Sequence, residues 1–388
     1  MNIFRSTRSR ALALVGATAI AVLALAGCEA TPEGDASGAN PSASASESLT
    51  GVAADVAAAM QAPGNTVPTQ KVENGAALEG KTVYYVPITL QSAQFNVTAT
   101  ALTAALKELG ATIQVCDGKG TPTDVSACVG QGVTAGAAAI VSDAVPYGLA
   151  ANAFDAAQAA GIPVVISNQI EADGHPASKT LGYMATGGFS QQEITAKWVT
   201  EDSDGAANLL ANVTTDGPSP KAFFAAGTDV YDQECPDCVV VTNEVSSANF
   251  PLVAPSTQSA LLANPNTQYV QTQFAQFLQP TLGGIQGAGV QGKVKVIAGS
   301  VQLADLKAVA DGSLTAATGQ ASAFTGWLLA DMALRLVAGE ELPEYTIPVR
   351  LFTSENIGDI DLSDTAEASG EWYGDTTFPD EFATIWGR

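Results

Sequence analysis

Cationic residues are scarce in this chain. Of 388 residues only 16 are Lys or Arg, against 39 Asp or Glu, so the formal net charge is −23. A nucleic-acid partner is thereby excluded, because phosphate contacts need a basic face that so few cations cannot build. Charge-driven docking on an anionic membrane surface is disfavoured on the same ground. Histidine is almost missing: His175 stands alone, in Asp173-Gly174-His175-Pro176 with no GxSxG segment near it, which leaves little for serine–histidine or zinc chemistry. No pair of carboxylates is singled out for glycoside hydrolysis either, and the expectation is a protein that is not an enzyme and needs no cofactor or metal. Aromatic residues are few (13 Phe, 8 Tyr, 4 Trp) and can be weighed one by one. Charged residues make up 14% and hydrophobic ones 46%, a balance that supplies a core rather than a disordered chain. At roughly 150 residues per domain, the length predicts two or three domains.

What is present begins at the amino terminus. Arg5, Arg8 and Arg10 precede the wholly apolar run 11–26, which ends at Gly27-Cys28. The run falls short of the 18 or so residues of a membrane span, and its order of charge then apolarity is that of a secretory signal. Leu25-Ala26-Gly27-Cys28 resembles the lipobox of bacterial lipoproteins. The resemblance implies a signal peptide over 1–27, acylation of Cys28, and a lipid anchor on the outer face of the cell membrane. Removal of residues 1–27, which hold three arginines and no acid, would take the charge from −23 to −26. Residues 28–79 then read as the lipidated cysteine and a flexible tether, with a short helix over 52–60 and the folded body starting near Gly80.

With Cys28 assigned to lipid, four cysteines remain. An even set outside the membrane reads as disulfides, and the expected pairs are Cys116 with Cys128 and Cys235 with Cys238. A redox CxxC or half a zinc site are the alternatives for Cys235-Pro-Asp-Cys238. The β-rich run Val239–Thr242 follows at once, where a thioredoxin-type site would open a helix, and zinc lacks further ligands.

From residue 81 onward short β-branched runs alternate with helical periodicity. Strands are predicted at 82–90, 112–116, 138–142 and 163–167, with helices at 97–109, 123–134 and 148–160 between them. A second series has strands at 208–213, 239–243, 268–271, 293–298 and 315–319. Its helices fall at 191–200, 220–226, 254–263, 277–287 and 303–312, and a long amphipathic run covers 324–338. Two such series predict an α/β protein of two doubly wound parallel-sheet lobes with a cleft between them. A two-lobed body of this kind has hinge closure around a small solute as its natural activity.

Four segments resemble the type I periplasmic solute-binding proteins of ABC importers, especially the ribose/galactose-type sugar binders. They are Cys116-Asp117-Gly118-Lys119-Gly120 through Gly136–Val141, Ala160-Gly161-Ile162-Pro163-Val164-Val165, Leu261-Leu262-Ala263-Asn264-Pro265-Asn266, and Asp311-Gly312-Ser313-Leu314 through Gly319-Gln320. The likeness covers about 80–350. It implies a three-segment hinge near Tyr183–Gly187, Gln320–Ser322 and Tyr345–Pro348, with Gly187-Gly188 suited to absorb unusual backbone angles. The lobes are then 80–185 with 321–346, and 186–320 with 347–388. The implied function is a lipid-anchored, monomeric, extracytoplasmic receptor that closes on a small polar solute, a sugar or sugar-like molecule, and delivers it to ABC permease subunits. A receptor presenting its ligand to a membrane signalling protein is the alternative.

Carried over by position, the resemblance implies ligand contacts at Gln94 and Phe95 after the first strand, Asp143 after the third and Asn168 after the fourth. In the second lobe it points to Tyr231, Asn249 and Phe250, then Phe274 and Gln276, and at the hinge to Gln320. Rings would face C–H groups while amides and the carboxylate meet hydroxyls. Three departures weaken the match to a plain sugar. Gln273–Gln276 replaces an Asn-Asp pair, Ala298-Gly299-Ser300 replaces Gly-Phe-Asp, and Tyr231-Asp232-Gln233 stands where an arginine is expected. A less hydroxylated or more aromatic solute fits as well. Asp359–Asp364 imitates a calcium loop but lacks its glycine and its glutamate. The aromatic segment 364–388 reads as packed on a lobe.

Overall fold

The computed structural model describes residues 51–388. The signal-like segment, Cys28 and the first part of the expected tether lie outside the described residues. The β-branched runs fold into two sheets, as the two series predict. Strands β1 (Thr82–Pro87), β2 (Thr112–Val115), β3 (Ala139–Asp143), β4 (Val164–Ser167) and β5 (Leu181–Met184) form the first. Its order is β2-β1-β3-β4-β5 and every pairing is parallel. Strands β6 (Asn208–Thr214), β7 (Val239–Val245), β8 (Tyr269–Thr272), β9 (Lys295–Gly299), β10 (Ala316–Gln320) and β11 (Val349–Thr353) form the second, in order β11-β10-β9-β8-β6-β7. Only β11 runs antiparallel. The interior strands β3 and β10 are buried along their whole length, which is why they read as apolar or small-residue runs without alternation.

Helices cover both sheets. The first carries α2 (Ala93–Glu108), α3 (Pro122–Thr134) and α4 (Ala151–Ala159); the second carries α5 (Thr186–Asp202), α6 (Pro218–Glu234), α7 (Val253–Ala263), α8 (Leu278–Gly287) and α9 (Leu303–Ala310). Helix α2 buries Ala101, Leu102, Ala105 and Leu106, the stripe read from spacing, and Gly110 ends it at φ +68°. Helix α3 is capped by Thr121, whose hydroxyl accepts the Asp124 N–H at 3.1 Å. Helix α10 (Ser322–Ala338), almost wholly buried, returns the chain to the first sheet and packs on α2. The chain thus changes lobe between Met184 and Thr186, at Gln320–Ser322, and between Ala338 and Val349.

Two assignments at the ends need correction. Residues 51–79 are folded rather than flexible. A helix over 51–59 (α1) buries Val52 and Val56 among Trp198, Val199 and Leu209 of the second lobe. Val67, Val72 and Leu78 join a large core cluster with Leu102, Leu106 and Phe324. At the other end, α11 (Asp364–Ser369) and α12 (Phe378–Trp386) lie chiefly against α2 and α10 of the first lobe, while Glu367 and Trp372 also bond to Leu303 and Arg350 of the second. The tail packs, as its aromatics led us to expect. Trp386 stacks on Trp327 at 5.6 Å with an interplanar angle of 7°, and Phe378 meets Phe324 edge-on at 5.3 Å. Backbone contacts from Gly64 N–H to the Tyr373 carbonyl (2.7 Å) and from Val72 N–H to the Ile385 carbonyl (2.8 Å) sew the two ends together.

Both expected disulfides are formed, Cys116–Cys128 and Cys235–Cys238. The first joins the residue after β2 to the second turn of α3, 12 positions on; the second closes a loop of 3. Loop-closure entropy scales with the logarithm of the loop, so the longer bridge should be worth about 3 kcal/mol and the shorter below about 2. We therefore expect C116A/C128A to lower the urea midpoint more than C235A/C238A does. Equal midpoints, or the reverse order, would refute this.

Candidate functional site

One cavity of about 360 Å³ opens where the carboxyl ends of both sheets face each other. In doubly wound sheets ligands bind there. Three residues beside it take left-handed backbone without being glycine: Ala144 after β3, Asn168 after β4 and Ser300 after β9, each at φ 56°. Each such position costs about 1–3 kcal/mol, and strain of this kind gathers at functional sites.

Six of the ten expected contact residues line the cavity: Gln94, Phe95, Asn168, Phe274, Gln276 and Gln320. Gln94 and Phe95 belong to the first turn of α2 rather than to a turn after β1, because that strand stops at Pro87 and the helix starts at Ala93. Asp143 is fully buried behind the wall. Its carboxylate accepts the Asn168 Nδ2–H at 2.7 Å and the Tyr85 hydroxyl at 2.8 Å, so it holds Asn168 in place and does not face the cavity.

The remaining three do not line it. Tyr231 sits in the core with Trp198 and Leu209, because α6 continues to Glu234 instead of ending at Ala226. Asn249 and Phe250 are exposed. They lie in a 3₁₀ turn, Ser247–Leu252, that points them outward, and Ser246, Ser247 and Ala248 occupy the wall in their stead.

A chain of hydrogen bonds runs through the base of the cavity from one lobe to the other. The Ser300 N–H donates to Gln191 Oε1 (2.5 Å), Gln191 Nε2 to Gln320 Oε1 (3.1 Å), Gln320 Nε2 to Asn168 Oδ1 (3.0 Å), and Asn168 Nδ2 to Asp143. A second bridge crosses nearby: the Ser219 hydroxyl donates to Gln169 Oε1 at 2.7 Å and accepts the Ile170 N–H at 3.1 Å. Gln169, Gln191, Asp216 and Phe223 were not legible as site residues. Gln191 and Phe223 lie within helices, and Gln169 and Asp216 follow strand ends at positions that the family resemblance did not mark.

Gly187 and Gly188 also need a different account from the one expected. Neither has a positive φ; both lie in the first turn of α5. What they supply is room. A Cβ on Gly187 would stand 2.4 Å from Gln320 Oε1, and one on Gly188 would stand 2.5 Å from the Phe223 ring.

Burial raises the Asp143 pKa above its ordinary 3.8, and the bonds from Asn168, Tyr85 and Ser167 oppose that rise. The folded protein therefore holds this proton more tightly than the unfolded chain does. Stability from this group falls as pH rises between the ordinary value and the raised one. The expected result is that wild type loses stability relative to Asp143→Asn on going from about pH 4 to about pH 7. Thermal midpoints across that range check it; a difference that grows in favour of wild type would refute it.

Comparison with known proteins agrees with this architecture. The periplasmic binding protein domain family matches residues 83–341. No curated protein matches the sequence. Among solved structures, a 5-methylthioribose transporter solute-binding protein from Thermotoga lettingae superposes with a TM-score of 0.66 at 17% identity, over 82% of this chain and 99% of that one. A glucose-galactose binding protein from Geobacillus stearothermophilus gives 0.64 at 16%, over 72% and 99%. The Caulobacter myo-inositol binding protein gives 0.63 at 18%, over 75% and 98%. At these identities the likeness concerns the fold.

Proposed function

The chain belongs to the periplasmic binding protein family, and from that premise we propose that it is an extracytoplasmic receptor for a small sugar-type solute, which it delivers to an ABC permease. The observation that carries the reading is the cavity itself. Amides and rings from both lobes converge on it at the ends of both sheets, and a hydrogen-bonded chain joins the lobes at its base. Rings that cover C–H faces beside amides that meet hydroxyls are the chemistry a sugar requires. The structural neighbours bind 5-methylthioribose, glucose or galactose, and myo-inositol, which supports the solute class.

Binding in this reading is closure without chemistry. The segments at 184–186, 320–322 and 339–348 act as the hinge, and Cys28 carries the lipid that keeps the receptor beside its permease as a monomer. A thermal-shift screen of residues 51–388 against sugars, polyols, nucleosides and amino acids tests it. A solute at about 100 times its Kd should add about 2.7 kcal/mol of stability. No shift with any sugar or polyol would defeat the proposal.

A further inference from the structure

On the reading that the cavity takes a sugar-type solute, we propose that this solute is uncharged and carries an apolar substituent, a thioether, alkyl or aryl group, beside a short run of hydroxyls. Three observations lead there.

Charge comes first. Among the described residues that line the cavity, Asp216 alone is charged. Both of its oxygens are committed to Ser247, accepting the N–H at 2.9 and 3.0 Å and the hydroxyl at 2.5 Å. Among the described residues no lysine, arginine or histidine lines the space, so a phosphate or carboxylate on the ligand would be desolvated without a counter-charge. A cationic group would find a carboxylate already engaged.

The polar groups are mostly spent. Gln191, Gln320 and Asn168 use their amides on one another, and Gln169 Oε1 accepts from Ser219. A handful of groups remain. Gln94, 6% exposed, makes no side-chain hydrogen bond among the described residues, and the Thr214 hydroxyl is buried without a partner. Gln276 has only a 3.4 Å contact to Ser247. The Gln169 Nε2 and the Ser92 hydroxyl, both on the cavity wall, likewise have no side-chain partner among the described residues, so these groups can satisfy hydroxyls over one part of a small solute.

The apolar wall is built rather than incidental. Phe95, Phe223 and Phe274 line the cavity with Leu149, Pro146 and Pro220. The Phe223 ring is fixed edge-on to Phe189 at 4.8 Å, in space that exists because residue 188 has no side chain. A hydroxyl turned toward these rings would lose its water and gain no partner, whereas a methylthio, methyl or aryl group would bury its surface there.

Matched ligand sets test this by calorimetry on residues 51–388. Ribose, galactose and myo-inositol are each compared with a methyl, methylthio or aryl derivative and with a phosphorylated derivative. In whichever set binds, the apolar derivative should bind at least about tenfold tighter than its parent, some 1.4 kcal/mol, and the phosphate should not bind. A parent that binds as tightly as its apolar derivative, or a phosphate that binds at all, overturns the inference and leaves the sugar reading standing. If no member of any set binds, the sugar reading fails and this inference with it. Phe274→Ala, at a half-buried wall position, should then cost the apolar derivative about tenfold and the parent less than about twofold. Equal losses for the two would overturn the assignment of the wall.

Discussion

Replacing Asp331 by alanine is expected to lower the stability of the fold by about 3–5 kcal/mol. This carboxylate, fully buried in α10, is the point at which four parts of the chain meet. Its Oδ2 accepts from Arg335 Nε at 2.8 Å and from the Tyr345 hydroxyl at 2.7 Å, and its Oδ1 accepts from Trp386 Nε1 at 2.7 Å. Arg335 is 2% exposed and also donates to the Gln70 carbonyl at 2.5 Å. Burial and the Asp331 charge keep the Tyr345 phenol far above its ordinary pKa, so it remains a donor. Alanine would leave a buried guanidinium with only its 3.6 Å ion pair to the Glu340 carboxylate, and two buried donors without an acceptor, and losing the close partner of a buried charge is what makes such deletions severe. Asp331→Asn keeps the shape and one acceptor, so its loss should be smaller. Urea unfolding followed by tryptophan fluorescence and by circular dichroism reads both, with coincident curves as the check on two-state behaviour. A loss under about 1 kcal/mol for Asp331→Ala would show that the charged centre is not what fastens the ends of the chain.

The contrast between this centre and the lobes marks what a sequence displays. Parallel strands buried on both faces must be runs of small or β-branched residues, and helices over them must be amphipathic. The alternation at 82–167 and 208–319 was therefore readable. So were some of the residues at or just past strand ends, such as Asn168 and Gln320, because the topology sends those positions into the cleft. The failures have identifiable causes. Gly227 looks like a helix stop, since glycine costs about 1 kcal/mol in a helix interior. Yet a Cβ there would lie 2.9 Å from the Gln192 carbonyl. The glycine lets α5 and α6 touch, α6 runs on, and Tyr231 turns into the core. Residue pairs such as Asp331 and Trp386, 55 positions apart, exist only after the tail has docked, and no local period announces them. Strands β5 and β11 are short and carry glycine or a charged residue, so the pattern passed over both.

Removing the Gln320 side chain is the change that should most affect binding. Gln320 is 2% exposed at the point where β10 hands the chain back to the first lobe, and it joins Gln191 of one lobe to Asn168 of the other. Alanine there would leave the Asn168 Oδ1 without its donor and reduce Gln191 Nε2 to a 3.3 Å contact with the Gly187 carbonyl. Each buried group so orphaned costs about 1–3 kcal/mol. Asn168 suffers in a second way. It holds φ 56° because Asp143 grips its amide nitrogen while Gln320 grips its oxygen, and with one grip lost the side chain that faces the solute has other rotamers open to it. The ordering cost then falls on the binding step. The dissociation constant of whichever solute passes the thermal-shift screen should rise about 10- to 100-fold, equivalent to ~1.4–2.7 kcal/mol. The unliganded melting temperature should drop by only a few degrees, because cavity-facing groups contribute less to the cores than to the site. Gln320→Glu, which keeps the length but removes the donor to Asn168, should bind as weakly as the alanine variant. A Kd within twofold of wild type for both variants would mean that the chain of amides braces the hinge without setting the site.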